Sequence, residues 1–306
     1  MNDRRDARGR WLVFGAAFLW GTSATLARFV FRDRHVPALT AVELRLAISV
    51  AILGPWLALR RPEALRIARS DWGYFLALGL FGVAAVQGTY YYAISVLGVG
   101  LAILIQYLAP ALIVAYGAAR GTRVGPATVV AIASAILGIA LLVSHMDPAS
   151  LKRHPRPLDW AVGFGSTFSF AFYVLFSKRG LRRYAPDTVL FYTFLIACIF
   201  WAVVTPPWRI AAAGYGADLW LMFAALGVFS TLVPFFLFNT GLRRLSAAEA
   251  GIIASLEPVV AVLSAALFLG EGLKPMQWLG ALLVLVAASL ASIQAPETVP
   301  AQPERG

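Results

Sequence analysis

Glu257 lies in the middle of a long apolar run, SLEPVVAVLSAALFLGE (255–271). An ionised carboxylate at hydrocarbon depth is costly unless it is paired or hydrated. An acid kept there either serves a site, holding a solute or a coupling proton, or is structural, capping a neighbouring helix or taking freed backbone amides. Pro258 beside it has no N–H and loosens the preceding turn, freeing a carbonyl that can face a cavity. Glu43 and Arg45 enter a second apolar run, and Arg28 leaves another near the same face. Glu43 with either arginine makes an ion pair that neutralises charge at that depth, or a gate that breaks and reforms as the outer side opens. Positions 43 and 45 point about 200° apart on a helix, which disfavours pairing between those two.

Polar aromatic residues are the next resource. Gln87, Tyr90 and Tyr91 fall at i, i+3 and i+4 and share one helical stripe. Gln106, Tyr107 and Pro110 follow in the next run. A tyrosine joins an apolar ring to a hydroxyl donor, which suits a midplane site for organic solutes; the alternative is an interfacial belt or interhelix packing. Gln87, Tyr91, Gln106 and Tyr107 are expected to line one central space with Asn239 and Glu257, and Tyr92 is expected to pack. Trp20, Ser23, Ser169, Tyr173, Ser230 and Thr231 are weaker candidates for the same space. Gly15, Gly79, Gly82, Gly163, Gly227 and Gly251 are read as points of close helix approach.

Nothing in the chain reads as an enzyme. His35, His145 and His154 fall in or beside loops without metal-ligand spacing, and no GxxxxGK[ST] phosphate cradle is present. No metal or cofactor is expected. Cys198 stands alone in an apolar run and reads as a small buried or lipid-facing residue. The net charge of +11 comes in short basic clusters between apolar runs, which is membrane topology and argues against a nucleic-acid partner.

The elements that carry these residues must sit in lipid. Sixty per cent of the 306 residues are hydrophobic and 13% charged, against roughly 25% charged in ordinary globular domains. A span needs about 20 mainly apolar residues, and ten segments qualify: 11–31, 39–59, 72–96, 99–119, 126–144, 158–177, 188–204, 219–242, 247–267 and 276–293. The first is too long for a signal-peptide core. The second half repeats the first about 148 residues on. Trp72 and Leu78-Gly79 return as Trp220 and Leu226-Gly227, and Tyr107-Leu108-Ala109-Pro110 as Ser255-Leu256-Glu257-Pro258. Five spans per copy, an odd number, would turn the second copy upside down. The expected fold is therefore all-α and polytopic, with ten transmembrane helices in two inverted five-helix repeats (1–145 and 158–293). A connecting loop (146–157) and a disordered cytoplasmic tail (294–306) complete it. Lys and Arg concentrate in alternate loops, which places both termini in the cytoplasm of an inner-membrane protein.

In this order WGTSATLARF (20–29), ELRLAISVAIL (43–53), SLEPVVAVLSAALFLGE and the small-residue stretch 280–288 resemble the EamA-type drug/metabolite transporter superfamily. The resemblance covers almost the whole chain. It departs from the pattern in the first half, where Ala109 replaces the glutamate matched by Glu257 and Arg123 stands near the place of Glu271. The resemblance implies alternating-access transport of a small organic metabolite, an amino acid or related compound, outward in direction as in bacterial members. The partners would be that solute, the lipid bilayer and a coupling proton or exchanged solute. The alternative is a nontransporting membrane scaffold or sensor.

Overall fold

The computed structural model describes residues 2–32, 34, 36–144, 155–269 and 274–293. His35, His145, His154, Glu271, most of the connecting loop and the 294–306 tail lie outside the described residues, as do the side chains of Arg28 and Arg32. All regular structure among the described residues is helical: α1 (Asn2–Arg32), α2 (Ala38–Arg60), α3 (Trp72–Ala77), a π-helical stretch (Leu78–Ala84), α4 (Ala85–Gln106), α5 (Ala109–Ala119), α6 (Pro126–Val143), α7 (Pro157–Gly180), α8 (Pro186–Val204), the short α9 (Pro207–Ala212), α10 (Ala217–Ala225), a second π-helical stretch (Leu226–Leu232), α11 (Val233–Leu242), α12 (Ala247–Ala254), α13 (Glu257–Leu269) and α14 (Pro275–Ile293), with two single turns of 3-10 helix over 62–71.

Local chemistry explains many of the boundaries. Proline opens α6, α7, α8 and α14, where its fixed φ is preorganised and its missing N–H costs nothing. Ser246 caps α12 by accepting the Glu249 amide at 3.1 Å. Among the described residues eight helical stretches are long and apolar enough to cross a membrane, and Pro275–Ala291 is a shorter apolar helix. Many large apolar side chains face outward, among them Leu59, Val203, Leu221, Leu267 and Phe268. Lipid, not water, is the solvent that such a surface fits.

The expected gap between the spans 72–96 and 99–119 is not a loop by hydrogen bonding, since α4 runs through it without a break. The chain nevertheless turns back there. A Cβ on Gly163 would meet Ala93 at 4.0 Å, Leu97 at 3.0 Å and Ile105 at 3.5 Å. Positions 93 and 105 lie ~18 Å apart along a straight helix, so the chain reverses between them, where the spans Arg69–Leu97 and Gly100–Ala119 meet.

Packing is reciprocal between the halves. The α1 helix packs on α11, α12 and α13, while α7 packs on α4 and α5; α2 packs on α8, and α6 on α14. The two π-helical stretches begin at the two Leu-Gly pairs of the sequence repeat. A Cβ on Gly79 would lie 2.7 Å from Ile196 and 3.2 Å from the Thr193 carbonyl. The matching Cβ on Gly227 would lie 2.7 Å from Ile48 and 3.5 Å from the Arg45 carbonyl. Gly15 and Gly251 sit at ordinary contact distance from Leu237 and Pro110, so they are looser points of approach. Polar contacts tie one end of the bundle across the halves: Arg10 with Glu249 at 2.7 Å, Arg61 with Asp187 at 2.6 Å, and Arg183 with Asp71 at 2.8 Å. At the opposite end Arg34 pairs with Asp218, and the Tyr92 hydroxyl lies 2.7 Å from Asp159.

Candidate functional site

Two helices are broken in mid-course at matching places. Tyr107 and Leu108 form a turn between α4 and α5, and Ser255 and Leu256 form one between α12 and α13. Pro110 and Pro258 follow, and each removes the amide that would bond the carbonyl four residues back, at Gln106 and Ala254. Backbone freed in this way is tolerated at membrane depth only where protein or a cavity receives it.

The breaks bring Tyr107 and Glu257 together. The tyrosine hydroxyl donates to the carboxylate Oε2 at 2.6 Å. No donor among the described residues reaches Oε1, and the side chain keeps accessible surface although the residues before and after it are buried. Tyr90 lies within electrostatic reach of the same carboxylate and packs edge-to-face on Tyr91, with ring centroids 5.8 Å apart.

On the far side of these tyrosines stands Arg45, 5% exposed. Its Nε donates to Thr231 Oγ1 at 2.7 Å, Nη1 donates to the Tyr91 hydroxyl, and Nη2 reaches the Ser230 carbonyl at 3.5 Å. The π-helical stretch carries both Ser230 and Thr231 to this position. Arg45 is thus drawn into the bundle, whereas the sequence places it with Glu43 near the outer face. Glu43 points elsewhere. It is 3% exposed, its Oε1 accepts from Cys198 Sγ at 3.5 Å, and Oε2 has no partner among the described residues. No Glu43–Arg45 ion pair forms, and Arg28, the other candidate partner, has its side chain outside the description. Cys198 touches a carboxylate, a relationship with no signal in its isolated place in the sequence.

The remaining candidates divide. Asn239 donates to the Tyr173 hydroxyl at 2.9 Å, and both are buried. Tyr173 stacks on Phe170, whose ring lies 6.3 Å from that of Tyr107. Asn239 therefore joins the Tyr107–Glu257 centre through two aromatic rings and not directly. Trp20 packs on Phe235 and Phe238 at 5.0 and 5.6 Å, on the Asn239 side. Gln87 is buried, and Gln106 is buried with its Oε1 unpartnered. Tyr92 binds Asp159 across helices, as a packing residue does.

Known proteins match this chain along nearly its whole length. The profile of the EamA-like transporter family matches residues 7–144 and again 160–293. The uncharacterized inner membrane transporter YicL of Salmonella typhimurium is 29% identical over 293 residues, covering 94% of this chain and 95% of its own. The threonine/homoserine exporter RhtA of Escherichia coli K12 is 30% identical over 282 residues, covering 88% and 85%. A solved crystal structure superposes with a TM-score of 0.78 at 20% identity, over 93% of this chain and 96% of its own, which shows a shared fold.

Proposed function

The chain belongs to the EamA-like transporter family, and on that footing we propose that it is a secondary transporter that exports an amino acid or a related small metabolite across the inner membrane by alternating access. The observation that carries this is the reciprocity of the two halves. Gly79 meets Ile196 as Gly227 meets Ile48, and α1 meets α11 to α13 as α7 meets α4 and α5. Two units packed crosswise in this way can rock against each other around a site at their interface. The Tyr107–Glu257 contact lies at that interface, contributed by one broken helix from each half.

We read ten spans. The eight stretches already described are joined by α1 and α14, and the reversal within α4 keeps the count even. The end of the bundle tied by Arg10, Arg61 and Arg183 also carries Arg60, Arg66, Arg69, Lys178, Arg179, Arg243 and Arg244. That end is cytoplasmic by the positive-inside rule. RhtA carries the amino-acid and export part of the reading, as a relative named for threonine and homoserine.

Flux in proteoliposomes tests it. Vesicles holding the purified full chain and loaded with L-threonine, L-homoserine or other L-amino acids should exchange radiolabelled solute faster than protein-free vesicles. If no amino acid moves, the substrate reading falls; if no solute of any class moves, a nontransporting scaffold or sensor takes its place.

A further inference from the structure

We propose that Arg45 and Glu257 are the two poles of one zwitterion site, with the guanidinium taking a substrate carboxylate and the glutamate taking the ammonium group of the same molecule. This rests on the amino-acid reading above and assigns each charged group of the solute to a residue.

The argument begins with an unbalanced cation. Arginine stays protonated at any physiological pH, and its guanidinium offers five N–H donors. Arg45 is buried in the bundle, yet no carboxylate among the described residues forms an ion pair with it. Its partners are two hydroxyls and one long contact to a carbonyl, all neutral groups. Three donors are engaged and two remain. An anion presented to that fork would gain charge-assisted, bidentate hydrogen bonding that no protein group supplies.

Glu257 mirrors the situation with opposite sign. Its Oε2 accepts from neutral Tyr107, and no cation among the described residues contacts it. Arg45 and Glu257 form no ion pair with each other, although they interact electrostatically across the tyrosines. Each pole therefore has half a complement, and the two are held apart by Tyr90, Tyr91 and Tyr107. A ligand with one carboxylate and one ammonium completes both. A simple amine would leave Arg45 uncompensated, and a polyanion would face Glu257.

The repeat supplies an independent argument. The position matching Arg45 in the other half is Thr193, whose hydroxyl bonds its own helix at Val189, and the position matching Glu257 is Ala109. Neither pole has a twin. The site is polar in one direction only, so a zwitterion has one orientation in it, carboxylate toward α2 and the second π-helical stretch, ammonium toward α13.

Counterflow in proteoliposomes of the full chain decides the matter. L-threonine, L-leucine and L-phenylalanine are each competed against the matching amine that lacks the carboxylate and the matching acid that lacks the amino group. In the wild type both analogues should compete at least about tenfold more weakly than the amino acid, because each leaves one pole unfilled. Arg45→Gln should lose discrimination against the amine and keep it against the acid, with Arg45→Lys intermediate; Glu257→Gln should do the reverse. Wild-type discrimination in Arg45→Gln overturns the assignment. Should that variant fail to accumulate, Thr231→Val removes the acceptor that aims the guanidinium, and the same selective loss is expected at smaller size. If the wild type moves no amino acid, the amino-acid reading is wrong, and the labelled analogues then judge Arg45 directly. Acid flux lost in Arg45→Gln upholds carboxylate binding; acid flux that Arg45→Gln leaves unchanged, or no flux of any probe, overturns it.

Discussion

Glu43 and Arg45, two positions apart on α2, face away from each other: the carboxylate meets Cys198 of α8, and the guanidinium meets Tyr91 and Thr231. A pair that never touches should show no coupling. In a double-mutant cycle of Glu43→Gln and Arg45→Gln, read by thermal unfolding in detergent, the two effects should add to within ~0.5 kcal/mol. A coupling energy above ~1 kcal/mol would restore the ion-pair reading.

Tyr107 satisfies one oxygen of Glu257, so its hydroxyl matters to stability as well as to the site. Tyr107→Phe should cost about 1.5–3 kcal/mol, the range for a lost hydrogen bond to a charged group. Tyr107→Phe,Glu257→Gln should recover part of that loss in the same melting experiment. Glu257→Gln alone should accumulate in the membrane while losing coupled net transport. Retention of full flux would reduce Glu257 to a structural role.

The paired glycines predict matched sensitivity. Gly79→Ala and Gly227→Ala each drive a methyl into an isoleucine of the other half, and overpacking of this kind costs about 1–3 kcal/mol. Gly73→Ala, with nothing within 4 Å of its added carbon, is the control and should melt like the wild type. Equal melting of all three would remove close approach as the reason for these glycines.

Asp187 is 1% exposed and depends on Arg61, which is 43% exposed. Solvent screening at the arginine lowers the value of the pair below that of a fully buried one. Arg61→Ala should still destabilise by about 1–2 kcal/mol, and Arg61→Ala,Asp187→Asn should melt closer to the wild type than the single variant does. A double variant no better than Arg61→Ala would argue that Arg61 acts by packing alone.

Topology is open to cysteine labelling in a Cys198→Ser background. Cysteines at Ala149 and Gly272 should react with an impermeant maleimide from outside, and those at Glu63 and Arg182 should not. Neighbouring positions serve less well: Ala64 is 5% exposed, and Gly180 abuts the Tyr74 hydroxyl. Labelling of 63 and 149 from the same side would break the odd number of spans between them.

Much of this was legible from residue order because lipid is an undemanding solvent: a span needs only length and apolarity, and proline marks its start at 126, 157, 186 and 275. Pro258 marks a loosened turn before it, since proline acts through the backbone, but the spans 99–119 and 247–267 read as unbroken and the repeat does not reveal that both helices break. Tyr107 and Glu257 are expected in one central space, yet a repeat relates matching positions and does not say that these two touch. The direction of Arg45 has no signal either. A sequence gives the angle of a side chain around its own helix but not which neighbour stands there, and the hydroxyls that receive Arg45 come from residues 91 and 230–231. Cys198 escaped for a similar reason, because its carboxylate neighbour is on another helix. The junction between the expected spans 72–96 and 99–119 is a change of direction without a lapse in hydrogen bonding, which composition cannot express.

The π-helical stretches Leu78–Ala84 and Leu226–Leu232 each hold one residue more than α-helical winding would place over the same rise. The extra residue lies at one register in both halves, in stretches that begin at the Leu-Gly pairs 78–79 and 226–227. It also sets a rule for how these spans change in length. Loss of one residue within 78–84 lets the helix close as α and leaves Tyr90 and Tyr91 where they are. The same loss just beyond Ala85 turns both tyrosines about 100° around the axis and away from Arg45 and Glu257. The windows that can absorb a change of length are thus these two stretches, and the site lies downstream of the first and inside the second.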